Sequence, residues 1–160
     1  DKMDLVVQKT VELGVSGIIP LATEHSVVRY DAAKQANRVA RWQIIAYEAS
    51  KQCGRGKVPT VTDIMSLADC LEQLPPGVTI LMLYEGEKVQ GLRAALTAAN
   101  GSGEIVLLIG PEGGFSPAEV ELCKQYGAKM VSLVPRILRT ETAAIAALAI
   151  VMYQCGDLGG

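Results

Sequence analysis

The chain is poor in the residues from which many active sites and metal centres are built. It has a single histidine, His25, and its four cysteines, at positions 53, 70, 123 and 155, form no C-x-x-C pair. A zinc site of the usual spacing is therefore not expected, and no metal is. No signal peptide is evident, so the even cysteine count points to reduced thiols in the cytoplasm rather than to disulfides. The longest apolar stretch, residues 143–153, is too short to span a bilayer. Charge of one sign is missing too: 15 Lys and Arg against 17 Asp and Glu give a formal net charge of −2. Nothing global draws the chain to nucleic acid, and any RNA contact must come from local patches.

Several nucleotide and hydrolase motifs are absent. In Gly110-Pro111-Glu112-Gly113-Gly114, Glu112 stands where the dinucleotide fingerprint G-x-G-x-x-G needs its second glycine, which disfavours NAD. Around Gly56-Lys57 a phosphate loop would have Lys51 for its first glycine and Val58 for its final hydroxyl, which disfavours ATP hydrolysis. There is no G-x-S-x-G, and the lone histidine is far from either glycine loop, so a hydrolase triad has no parts.

What is present is enough for one domain with a full core: 160 residues, 49% of them hydrophobic. The chain opens at Asp1 without an initiator Met and is read as part of a longer protein. Strand and helix signals alternate, the α/β pattern. A first helix around Leu5, Val6, Lys9 and Leu13 is closed by Gly14, and a short strand over residues 16–21 follows. A longer helix over 32–51 has Asp31 as N-cap and Gly54 past its end. Residues 58–61 are predicted as strand, 64–73 as helix, 79–84 as strand, 92–99 as helix and 105–109 as strand. The last of these has no polar alternation, as expected of a central parallel strand covered on both faces. Ser116-Pro117-Ala118-Glu119 reads as a capping box with Pro at the first helical position. Residues 130–134 are the last strand, and Thr140 or Thr142 is expected to cap a final helix reaching Gln154. That helix is apolar nearly all round, so either it is threaded deep in the domain or part of it packs on a second subunit, the second reading being favoured.

Two segments carry the site. Gly110 to Gly114 follows a predicted strand, and about twenty residues later comes Val134-Pro135-Arg136-Ile137-Leu138-Arg139-Thr140-Glu141-Thr142-Ala143. Both lie where a strand ends and a helix begins, the usual ligand edge of an open α/β sheet. Bare glycine backbone suits close approach by a small polar cofactor, and paired arginines suit an anionic substrate. Arg136 and Arg139 are well placed to grip phosphate. Glu141 reads equally well as a complement to a helix N-terminus or as a substrate contact. Arg55 and Lys57, in their glycine loop, are read as RNA contacts. His25 is read as structural or surface, Cys53 as core, and Trp42 and Tyr47 as packing residues.

The paired segments, with Lys2-Met3-Asp4, Glu12-Leu13-Gly14-Val15, Glu48-Ala49-Ser50-Lys51-Gln52-Cys53-Gly54-Arg55 and Gly156-Asp157-Leu158, resemble the SPOUT methyltransferases, most of all the RsmE family. The resemblance covers the whole chain. It implies methylation of N3 of a uridine in small-subunit ribosomal RNA, using S-adenosylmethionine. The implied fold is a mostly parallel five- or six-stranded sheet with helices on both faces and a C-terminal trefoil knot, an exception to the rule against threading. The cofactor would be held by three loops, contributed by Leu83, Tyr84 and Glu85; by Gly110, Pro111, Glu112, Gly113 and Gly114; and by Leu133, Val134, Pro135, Ile137 and Leu138. RNA would meet Arg55, Lys57, Arg136, Arg139, Glu141 and Thr142, with Arg139 the catalytic residue that stabilises charge developing on the uracil. The general base is left open. A homodimer and an N-terminal RNA-binding domain of the PUA type, absent from this chain, are further implications. Two positions depart from the family pattern: Val134 replaces a usual Gly, and His25 a usual Arg. Alternatives are a SPOUT enzyme acting on transfer RNA and a catalytically silent ribosome-assembly domain.

Overall fold

The structure, a computed structural model, describes residues 1–26, 29–86, 90–99 and 103–160. Helix α1 (Lys2–Glu12) starts at Asp1, whose side chain accepts from the amides of Met3 and Asp4. Helix α2 (Ala32–Cys53) starts at Asp31, which accepts from Lys34 N at 2.9 Å, and ends at Gly54 in the left-handed conformation. The two helices enclose a core of Val7, Val11, Trp42, Ala46, Ala49 and Val61. Short strands β1 (Gly17–Ile18) and β2 (Leu21–Ala22) run parallel to β3 (Thr60–Val61) and β4 (Met65–Ser66) respectively. The predicted strand over 16–21 is thus two pieces, parted by Pro20, which has no amide hydrogen to give a ladder.

The predicted helix over 64–73 begins later. Met65 is committed to pairing with Leu21, and the Ser66 hydroxyl accepts from Asp69 N at 3.1 Å, so α3 is Leu67–Gln73. Then follow β5 (Thr79–Leu83), β6 (Gln90–Gly91), α4 (Leu92–Ala99), β7 (Ile105–Leu108), α5 (Pro117–Gln125), β8 (Lys129–Ser132) and α6 (Thr140–Cys155). Among the described residues the main sheet has four strands, in the order β6-β8-β5-β7, every neighbour parallel. This is an α/β fold with parallel sheets, but β1 to β4 stand as two separate pairs rather than as further strands of one five- or six-stranded sheet. A cleft of about 1,280 Å³ lies between β7 and the segment carrying β1 and β2.

Helices cover both faces of the main sheet. Ile80 and Met82 of β5 pack with Leu67 and Leu71 of α3 and Val120 and Cys123 of α5. Leu81, between them, points the other way and packs with Leu92, Ala95 and Leu96 of α4 and Ala147 and Val151 of α6. The all-round apolar α6 buries Ala144, Ala147, Leu148 and Val151 and leaves Ile150 41% and Tyr153 70% exposed. Trp42 is buried as expected, whereas Tyr47 and Cys53, expected inside, face water. Helix α2 turns Tyr47 away from α1, with the ammonium of Lys51 over its ring, while Cys53 follows the buried face but stands at the last position of the helix. No described helix is long and apolar enough to cross a membrane.

Candidate active site

Strands β8, β5 and β7 are neighbours and run the same way, so their carboxyl ends open on one edge. There they enclose a cavity of about 660 Å³. Its walls come from three loops: Leu83, Tyr84 and Glu85 after β5, residues 109–115 after β7, and most of residues 131–140 after β8. Leu133, Val134, Ile137, Leu138, Arg136 and Arg139 all line it. Pro135 is not among the lining residues.

The glycine loop is a tight turn in which Gly114 N donates to Pro111 O at 2.8 Å. Gly114 has φ +72°, a left-handed backbone that strains any side chain. A Cβ on Gly110 would come within 3.2 Å of the Phe115 ring. At Gly113 the constraint is different: its φ is ordinary, and a Cβ there would meet the Cβ of His25 at 3.0 Å. His25 therefore backs the loop, its Nδ1 lying 3.0 Å from Gly113 O. Next to it, Glu24 N donates to Glu119 Oε2 at 3.3 Å. Glu119 is the capping-box residue of α5, its other oxygen accepting from Ser116 N at 2.9 Å.

The arginine segment enters α6 without the expected threonine cap. The N-cap is Arg139, in extended conformation, and no side chain bonds the first amides of the helix. Thr140 is already helical and Thr142 sits exposed within the first turn, so neither hydroxyl is placed to cap. Thr140 and Arg139 line the cavity, which brings the partially positive end of a 16-residue helix to the same wall as Arg136. Glu141 is not a lining residue, and its Oε2 is buried without a hydrogen-bond partner.

One charged group of the cavity comes from the other end of the chain. Lys2 Nζ donates to Glu112 Oε1 at 2.7 Å. The bond raises the lysine's pKa and holds the Glu112 carboxyl below the usual carboxylate range. Lys2 has no place among the expected site residues, because its partner lies 110 positions away and no local pattern announces it. Phe115 and Ser132 also line the cavity unforeseen.

Two expected RNA contacts lie elsewhere. Arg55 turns inward, one guanidinium nitrogen donating to Val11 O and Val15 O at 2.9 Å each. Val11 is in the last turn of α1 and Val15 three residues past its end; Val11 O also accepts from Gly14 N at 3.1 Å, and the guanidinium ties the two carbonyls together where the chain leaves the helix. Arg55 is thus a structural tie, and this corrects its reading as an RNA contact. Lys57 is exposed on the connection between α2 and β3, away from the cavity. No group of three or more His, Cys, Asp or Glu among the described residues is placed to hold a metal ion.

A parallel α/β sheet with a glycine turn, an arginine segment and a helix N-terminus around one cavity is the frame on which the following likenesses fall. Residues 1–152 match the model of the RNA methyltransferase domain family, and the chain belongs to that family. Among its relatives, ribosomal RNA small subunit methyltransferase E of Bacillus subtilis is 37% identical over 164 residues, covering 100% of this chain and 64% of that protein. Among solved structures, the ribosomal RNA small subunit methyltransferase E of Neisseria gonorrhoeae bound to S-adenosyl methionine is 39% identical with a TM-score of 0.87, covering 95% of this chain and 61% of that one. A putative methyltransferase of Legionella pneumophila in complex with the same cofactor has a TM-score of 0.90 at 35% identity, covering 99% and 63%. The chain thus spans somewhat less than two thirds of the length of these relatives.

Proposed function

We propose that this domain transfers the methyl group of S-adenosylmethionine to N3 of a uridine in small-subunit ribosomal RNA. The observation that carries the reading is the cavity, in which exposed glycine backbone on one loop shares a space with Arg136, Arg139 and an uncapped helix N-terminus. Its volume of about 660 Å³ suits a nucleoside-sized ligand. The donor set suits the cofactor too: neutral backbone from three loops for an adenine, and the Glu85 and Glu112 carboxylates on the wall for a positively charged ligand.

Bound there, the cofactor would supply an electrophilic methyl group to uridine N3 and leave as S-adenosylhomocysteine, the N3 proton passing to solvent. The residues of the chain hold the reactants in line, a positioning task worth several kcal/mol. Arg139, with the positive end of α6 behind it, faces the negative charge that spreads over the uracil oxygens as the proton leaves. Arg136 holds the nucleotide by its phosphate. In this reading the loop from β8 into α6 is the threaded part of a trefoil knot, and α6 contributes Ile150 and Tyr153 to a two-fold interface. The enzyme works in the cytoplasm, and RNA capture is shared with a PUA-type domain, since the formal net charge here is only −2.

The deciding experiment is methylation of small ribosomal subunits that lack the modification, with the product nucleoside located by mass spectrometry. N3-methyluridine is expected; incorporation into transfer RNA alone would move the substrate, and no binding of S-adenosylhomocysteine by calorimetry would end the methyltransferase reading. Sedimentation at micromolar concentration should show a dimer, and a 17.0 kDa species alone would remove the interface.

A further inference from the structure

We propose that Lys2, oriented by Glu112, is a third cation of the substrate subsite and binds an oxyanion of the RNA nucleotide. The inference rests on the RNA methyltransferase reading above. Lys2 lines the same cavity as Arg136 and Arg139, though it comes from the first turn of α1. Its pair with Glu112 is half open to water, at 50% and 51% side-chain exposure. Pairs so exposed contribute little to stability, so holding the fold together does not explain its placement.

The start of α1 is braced from the other side. Asp4 takes a bidentate hold from Arg41 of α2, at 2.6 to 3.2 Å, and Asp1 pairs with Arg38. Asp1 and Asp4 share one helical face, and Lys2, a hundred degrees round, is turned to the cavity. The anchored helix start thus presents Lys2 to the glycine loop at a fixed place. An ammonium has three donors, and Glu112 takes one, which leaves others for a ligand. The surrounding charges fit an anion site. Lys2, Arg136 and Arg139 line one cavity, and an oxyanion bound there is attracted by all three cations. The nucleotide offers two such groups, a phosphate and the uracil oxygens that gain charge when N3 loses its proton.

The test uses Lys2→Met and Lys2→Arg in the protein loaded with S-adenosylhomocysteine, measuring affinity for a uridine-containing RNA across salt concentrations, together with methylation rate against pH. Lys2→Met should lower RNA affinity or kcat about tenfold with S-adenosylhomocysteine affinity unchanged, and Lys2→Arg should restore most of the loss. A salt slope lowered by about one identifies phosphate as the partner. An unchanged slope, with the rate profile moved to higher pH, identifies the uracil oxygens. Unaltered RNA affinity and rate would overturn the proposal. So would a loss confined to S-adenosylhomocysteine affinity, which would make Lys2 a brace for the cofactor loop. If wild-type product proves not to be N3-methyluridine, the substrate reading falls, while the RNA affinities still decide the role of Lys2.

Discussion

His25 and Gly113, 88 positions apart, are joined by a 3.0 Å contact from the imidazole Nδ1 to the glycine carbonyl, and the Cβ of the same histidine stands 3.0 Å from where a Cβ on Gly113 would sit. The glycine loop is therefore shaped from behind by His25. Gly113 is small because of His25, and Gly114 because of its own backbone angle.

Gly113→Val should weaken S-adenosylhomocysteine binding at least tenfold, about 1.4 kcal/mol, by driving the loop off His25 rather than by filling the ligand's space. Calorimetry of this variant alone and combined with His25→Gly, which removes the crowding Cβ, checks the route. Partial recovery in the double variant is expected, and a further loss would show that the valine blocks the cavity itself.

Arg139→Ala should lower kcat on ribosomal subunits by about a hundredfold while leaving S-adenosylhomocysteine affinity within about twofold, because the interaction strengthens only as charge develops. Parallel kinetics and calorimetry separate the two. Equal losses in both would make Arg139 a cofactor ligand.

Arg55→Ala should destabilise the fold by about 2 kcal/mol, since two carbonyls lose a charged donor. RNA affinity, measured below the melting transition, should hold. Denaturant unfolding and RNA titration on one preparation give both numbers, and intact stability with lost RNA binding would return Arg55 to the interface.

The Arg41 guanidinium keeps the Asp4 carboxyl below its ordinary value of 3.8. A carboxyl depressed on folding stabilises the native state above the unfolded pKa, and that stabilisation disappears as pH falls through the folded one. Asp4→Asn should therefore lower Tm by about 2 °C at pH 7 and by nothing measurable near pH ~2. Calorimetric scans at both pH values decide it; a gap that persists in acid would mean the loss is of packing, not of the ion pair.

Burial raises the thiol of Cys70 and pushes that of Cys123 up to about 11, while Cys53 lies exposed. Iodoacetamide at pH 8 should modify Cys53 in the native protein and reach Cys70 and Cys123 only after unfolding. Peptide mapping before and after denaturant reads this directly.

Local signals in the sequence carried much of this fold. Asp31 and Gly54 bound α2 where they stand in the sequence, and Ser116-Pro117-Ala118-Glu119 is the capping box of α5; the apolar run beginning at Ile105 is a parallel strand, but at the edge of the described sheet rather than at its centre as expected, its outer side lining the cleft beside β1 and β2. Short polar strands were beyond reach: Gln90-Gly91 becomes β6 only because Val131 and Ser132 lie beside it. Helical spacing hid β4, though Ser66 followed by Asp69 marks the true start of α3. In the site, contiguous motifs led to the two principal walls. Lys2 and His25 stayed invisible as wall and backing because each meets its partner across about a hundred residues of chain. Arg55 misled because a positive charge in a glycine loop looks alike whether it faces solvent or a helix end.

Strand β8 lies between β6 and β5, so the last strand to leave the ribosome fills the middle of the sheet. Until residues 129–132 are made and seated, that slot is vacant and the cavity lacks a wall. A nascent chain, however well its first hundred residues have folded, offers the ligand nothing complete to hold. Ligand affinity is thus expected to report the finished topology and to serve as an assay for correct maturation, because the wall formed by β8 and the loop after it is the last to be made.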